Sequence, residues 1–190
     1  MLLKLEQYAL ENNIPIIESD GIDFLTKLIK ESNIKTILEI GSAIGYSAIK
    51  MALIDKKILI TTIERDKPRY SEAVKNIKKF NLNDQIEVLN EDALDIEINQ
   101  KYDLIFIDAA KSQYIKFFQK FKNNLNPNGI IVSDNLKFHG FVETKEKIKN
   151  RNTRQLVNKI NKYITFLKEN EEFDTTFFDI GDGISVSSKK

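Results

Sequence analysis

The chain predicts a doubly wound α/β fold, with two helices in front of a parallel sheet and an antiparallel hairpin behind it. Three observations carry this expectation. From residue 35 onward, short apolar runs rich in β-branched residues alternate with longer amphipathic stretches, the signature of successive strand–helix–strand units. The first run ends in a glycine loop, Gly41 to Gly45, followed at once by a helical pattern. Near the end, Gly181-Asp182-Gly183 separates two last strand-like runs, a turn composition suited to a hairpin.

Taken in order, the first 33 residues read as two helices broken near Pro15. "KTILEIG" (35–41) is a strand and "YSAIKMALI" (46–54) a helix. "KILITTIE" (57–64) is the second strand. "PRYSEAVKNIKKF" (68–80) is a helix that opens with proline, where a missing N–H costs nothing. "QIEVLN" (85–90) and "DLIFIDA" (103–109) are strands three and four. "SQYIKFFQKFKNNL" (112–125) is an amphipathic helix ended by Asn-Pro-Asn-Gly, and "GIIVSD" (129–134) is strand five. Residues 135–152 are polar and basic, and "TRQLVNKINKYITFLKE" (153–169) is a helix. "FDTTFFDI" (173–180) and "ISVSS" (184–188) form the hairpin, adding an antiparallel edge to the sheet.

At 190 residues, with no internal repeat or linker, the chain is expected to be one domain, residues 1–33 forming a helical cap. There is no cysteine and a single histidine, His139. Disulfides, thiolate metal sites, cysteine nucleophiles and multi-histidine zinc sites are thereby excluded, and any metal must rest on oxygen ligands. "MLLKLEQYALENNIP" is too short and too interrupted by polar residues for a secretory leader, and no stretch approaches a membrane span. A cytoplasmic protein without a membrane partner is expected. The formal net charge of +1 leaves the nature of the partner to charge distribution.

The loop "EIGSAIGYS" places Glu39, Gly41 and Gly45 where a strand meets a helix N-terminus, the usual ligand position in such sheets. Its G-x-x-x-G spacing disfavours the G-x-G-x-x-G pyrophosphate cradle. Glu64 ends strand two, where an acid accepts hydrogen bonds from ribose hydroxyls, and Asp92 follows strand three, where an adenine would lie. Acids at three successive strand ends point to a nucleoside.

"ILEIGSAIGYSAIKMA" (37–52) resembles the first motif of class I S-adenosylmethionine-dependent methyltransferases. With "FIDAAKSQY" (106–114), "IIVSDN" (130–135) and "IGDGISV" (180–186), the chain is most similar to their metal-dependent catechol and caffeoyl-CoA O-methyltransferase group. The resemblance implies a Rossmann-like, seven-stranded methyltransferase sheet and S-adenosylmethionine as methyl donor. The candidate cofactor residues are then Glu39, Gly41, Gly45, Ser47, Glu64, Asp92, Ala93 and Asp108. Family members are often dimers, so a homodimer is expected.

Asp108 and the pair Asp134-Asn135 end neighbouring strands, and two carboxylates with one amide oxygen suit Mg²⁺ or a similar divalent cation. The resemblance implies the same ligand set. Methyl transfer to a hydroxyl needs the oxygen deprotonated and held in line with the sulfonium. Lys111 has two roles open to it: a neutral amine that takes the hydroxyl proton, or an ammonium that stabilises the oxyanion. Family precedent implies the first. Asp108 is assigned with it to the catalytic centre.

Two departures bear on the acceptor. Catechol-type members carry a carboxylate beyond strand five, but "NRNTRQLVN" (150–158) has none, and Phe138 stands where many small-molecule enzymes have Trp. Between Lys137 and Lys162, basic residues at 137, 145, 147, 149, 151, 154, 159 and 162 face only Glu143 and Glu146. A basic rim is the footprint expected for a phosphate-bearing substrate. The opening "IPIIESDGIDFL" (14–25), the "SDNLKFHG" loop (133–140) and the short length are similar to bacterial tRNA 5-hydroxyuridine methyltransferases. That resemblance implies tRNA as partner and 5-methoxyuridine at the wobble position as product. Lys137, His139, Arg151 and Arg154 are the candidate tRNA contacts; a small catechol-like or phenolic metabolite is the alternative substrate.

Overall fold

β-Branched and aromatic side chains dominate the strand interiors, and their alternation decides which residues face each side of the sheet. The computed structural model describes residues 1–137 and 150–190. Strands β1 (Thr36–Ile40), β2 (Leu59–Ile63), β3 (Ile86–Leu89), β4 (Tyr102–Ile107) and β5 (Leu125–Ser133) run parallel. β6 (Phe173–Phe178) and β7 (Ile184–Lys189) form the hairpin, with β7 antiparallel to both β5 and β6. The order across the sheet is β3-β2-β1-β4-β5-β7-β6. Reversal of strand order at β1 and β4 opens a crevice beyond their carboxyl ends.

Ile37, Ile60, Leu104, Phe106 and Val132 point to one face, where α1 (Leu2–Glu11), α2 (Ser19–Glu31), α3 (Tyr46–Ala52) and α4 (Lys67–Lys79) cover them. Leu38, Ile63, Ile105, Ile107 and Ile131 point to the other, beneath α5 (Tyr114–Phe121) and α6 (Arg151–Lys168). In α5 the buried residues are Tyr114, Phe117, Phe118 and Phe121. Their i, i+3, i+4, i+7 spacing makes one apolar face. Asp66 caps α4 by accepting from Arg69 N, and Asn150 caps α6 through Asn152 N and Thr153 N.

The elements follow the sequence pattern in order, and the fold is the expected doubly wound sheet with its hairpin and two leading helices. The stretch 112–125 departs in detail: α5 is flanked by 3₁₀ turns at Lys111–Gln113 and Lys122–Asn124, and β5 begins at Leu125 instead of 129. Asn-Pro-Asn-Gly therefore lies inside the strand, as an irregularity in its pairing with β4. Asp103 explains how this is held. It accepts from Asn126 Nδ2 at 2.7 Å with one oxygen and from Lys35 N and Thr36 N at 2.9 Å with the other. One carboxylate thus ties together the starts of β1, β4 and β5.

Candidate active site

β1 and β2 deliver their last residues, Ile40 and Ile63, and β4 the residue that follows it, Asp108, to one cavity of about 300 Å³. The loop after β1 forms its floor. Gly41 has φ +98°, and a Cβ there would stand 2.3 Å from the carbonyl oxygen of Asp108. Only glycine allows the two strand ends to approach this closely. Gly41 N donates to Ile63 O at 2.9 Å, which fastens the loop to β2 as well. Gly45 then starts α3, and Ser47 in its first turn lines the cavity.

Glu64 is buried and accepts from Ala43 N and Asp66 N, each at 2.9 Å. The first of these bonds draws the Ala43 backbone into the left-handed region at φ 44°. Each carboxylate oxygen keeps a second lone pair for a ligand hydroxyl. Asp92 accepts from Leu94 N at 2.9 Å and faces Arg65 Nη1 at 3.4 Å. Asp92, Ala93, Glu64, Gly41, Ser47 and Asp108 all border the same cavity.

Glu39 is placed differently from its sequence-level expectation. It is fully buried beneath the loop, outside the cavity wall, and accepts from Ser47 Oγ and Thr62 Oγ1 at 2.5 Å each. Burial pushes its carboxyl up to about 7, against the lowering effect of those two hydroxyls. Any influence of Glu39 on a ligand passes through Ser47 and the glycine loop.

Asp108, at the end of β4, and Asp134 and Asn135, after β5, meet around one point. Asn135 Nδ2 donates to Asp108 Oδ1 and to Asp134 Oδ2, both at 3.0 Å. Burial raises both carboxyls above the ordinary range, and the Asp108 charge raises Asp134 further; Lys111 and Asn135 act against the shift at Asp108. Lys111 opens the 3₁₀ turn after β4 and lines the cavity with Asp108 and Asn135. Among the described residues no cluster of three or more His, Cys, Asp or Glu is set to hold a metal. A cation here would rest on two carboxylates and the amide.

Of the candidate tRNA contacts, Lys137 pairs with Asp179, and Arg151 and Arg154 are exposed in the first turn of α6. α6 packs against the Lys111–Gln113 turn. His139, Phe138 and the lysines at 145, 147 and 149 lie outside the described residues. No helix among the described residues is long and apolar enough to cross a membrane.

Sequence reasoning missed part of the wall. Pro15, Ile16 and Ile17, between α1 and α2, border the cavity, as do Tyr46 and Phe117. Tyr46 also donates to Glu6 of α1 at 2.7 Å, so the N-terminal helix is tied to the start of α3. The available signal was the apolar run Ile14–Ile17 between two polar helix ends, too rich for a solvated linker.

Comparison with known proteins agrees with this geometry. The O-methyltransferase family model matches residues 2–190. A crystal structure from Staphylococcus aureus, provisionally named a caffeoyl-CoA O-methyltransferase, superposes with a TM-score of 0.95 at 36% identity, covering 100% of this chain and 92% of that one. An O-methyltransferase from Bacillus cereus in complex with SAH gives a TM-score of 0.83 at 25% identity, covering 100% and 90%. Caffeoyl-CoA O-methyltransferase 1 of Arabidopsis thaliana is 30% identical over 189 residues, 92% of this chain and 71% of that protein. A cavity floored by a glycine loop and bordered by Glu64 and Asp92, the family match over residues 2–190 and these relatives agree: the chain belongs to the S-adenosylmethionine-dependent O-methyltransferase family.

Proposed function

We propose that the protein methylates one of two vicinal oxygens on an acceptor held against a divalent cation, and that the acceptor is 5-hydroxyuridine at the wobble position of tRNA. The observation that carries the chemistry is the convergence of Asp108, Asp134 and Asn135 beside the glycine loop, with Lys111 on the same cavity wall. Two buried carboxylates held above their ordinary range are costly to ionise, and a cation offsets that cost. A half-turn of the Asn135 amide presents its oxygen to the same point. The donor set therefore fits a hard cation such as Mg²⁺.

When bound, the cation supplies positive charge that favours the ionised hydroxyl and orients it. The residues of the chain do the rest. Glu64 and Asp92 hold the nucleoside of the methyl donor, and the Gly41–Gly45 loop brings the backbone close to it. Lys111 takes the proton from the acceptor hydroxyl. The oxygen–carbon bond forms as the carbon–sulfur bond breaks, and the sulfonium leaves as a neutral thioether.

The tRNA assignment rests on the pairing of 5-hydroxyl and O4 in that base, vicinal oxygens like those of a catechol, and on charge. The first turn of α6 carries Arg151 and Arg154 and no acidic residue. Arginine is unfavourable at a helix N-terminus, and a flanking phosphate beside this exposed turn would favour the charge placed there. The second reading, a small catechol-like or phenolic acceptor, is favoured by the names of the relatives. Labelled S-adenosylmethionine offered with tRNA carrying 5-hydroxyuridine, with catechol and with caffeoyl-CoA, each with and without a chelator, separates them. Chelator-sensitive label in tRNA alone is expected. Label in catechol or caffeoyl-CoA alone overturns the tRNA reading, and chelator-resistant transfer overturns the metal.

A further inference from the structure

We infer that Tyr114 and the Asp182–Gly183 turn are positioning residues that set the Asp134–Asn135 pair, an inference resting on the metal reading above. The loop Asp134–Lys137 carries two of the three candidate ligands, and Asn135 sits in the left-handed region at φ 64°. Asparagine adopts that conformation more readily than other residues with a Cβ, and the surroundings hold the loop around it. Here they do so from two sides. Tyr114, a buried residue at the start of α5, donates its hydroxyl to Asp134 O at 3.1 Å. From the hairpin, Gly183 O accepts from Leu136 N at 2.9 Å and Asp182 O accepts from Lys137 N at 2.7 Å.

The hairpin approaches this closely because of Gly183. Its φ is +86°, and a Cβ there would stand 2.8 Å from Lys137 Cγ and 3.1 Å from Lys137 N. Neither Tyr114 nor the turn borders the cavity. Both act on the backbone of the ligand loop, in the way outer partners orient metal ligands.

Tyr163 provides an internal control. It is as buried as Tyr114, lies edge-on to it with ring centroids 5.2 Å apart, and shares a 2.7 Å hydrogen bond with Ser133 Oγ, one residue before the pair. Its hydroxyl bonds Ser133 and not the ligand loop. A role limited to packing would make Tyr114→Phe and Tyr163→Phe equivalent.

The experiment compares these two variants in the full chain, with Mn²⁺ as the probe, free ion read by electron paramagnetic resonance, and backbone exchange read at Leu136 and Lys137. Tyr114→Phe is expected to weaken Mn²⁺ binding about 10-fold and to speed exchange at those amides by a similar factor. Tyr163→Phe should leave both within about 2-fold at a comparable loss of melting temperature. Gly183→Ala, which pushes on the loop from the hairpin side, should repeat the Tyr114→Phe pattern and replaces it if that variant does not fold. Equal effects of the two tyrosine variants, or none from Tyr114→Phe, overturn the inference. A wild-type protein that binds no Mn²⁺ refutes the metal reading instead, and the exchange comparison still decides the positioning role.

Discussion

Replacing Glu39 with glutamine should remove one component of the pH dependence of the protein's stability. The carboxyl is fully enclosed, and its value of about 7 in the folded protein compares with 4.5 when unperturbed. The folded state holds this proton more tightly than the unfolded chain does. The stabilisation is therefore fully present below about 4.5 and is lost as pH rises through about 7. At about 1.4 kcal/mol per pH interval, the loss amounts to roughly 3 kcal/mol. Asp108 and Asp134 are also raised by burial, so the wild-type curve alone mixes three groups. The difference between wild type and Glu39→Gln isolates one. Glutamine keeps the shape, and the Ser47 and Thr62 hydroxyls can turn to match an amide. Urea denaturation of the ligand-free protein between pH 5 and 8 should show the variant gaining about 2–3 kcal/mol on wild type across that range. A difference independent of pH would mean that the two 2.5 Å hydroxyl bonds offset burial completely, and the reasoning would fail.

Two further outcomes follow from the site. Gly41→Ala forces a Cβ into the Asp108 carbonyl at positive φ; a loss of about 2–4 kcal/mol in thermal unfolding, with S-adenosylmethionine binding abolished in calorimetry, is expected, and a variant that binds normally would show that the loop does not form the cavity floor. Lys111→Arg supplies a cation that can stabilise an oxyanion but cannot accept a proton, so kcat should fall about 10²–10⁴-fold at unchanged donor affinity; near-normal turnover would assign Lys111 to electrostatic stabilisation.

The order of the βα units was legible because each rests on local periodicity. A buried parallel strand is a short apolar run, and its helix announces itself by an apolar face at 3.6-residue spacing. Asp108, Glu64 and the Asp134-Asn135 pair were legible for a related reason: in a parallel sheet, the residue ending an apolar run is delivered to the ligand-binding edge. Glu39 shows the limit of that rule. It sits inside β1, two residues before the loop, and its face of the strand turns it toward Ser47 and Thr62 instead of the cavity.

What the sequence determined by itself, then, was the succession of elements, the glycine loop and the acids at the strand ends, because all of these are written within a few residues of one another. The tertiary structure alone decided that β7 slips between β5 and β6, and that Pro15–Ile17 walls the cavity. It also decided that Tyr114 and the Gly183 turn close on the loop of Asp134 and Asn135. These pairings join segments far apart in the chain, and their geometry follows from packing two helical layers on a twisted sheet. No local pattern encodes a contact whose partner is chosen by the whole fold.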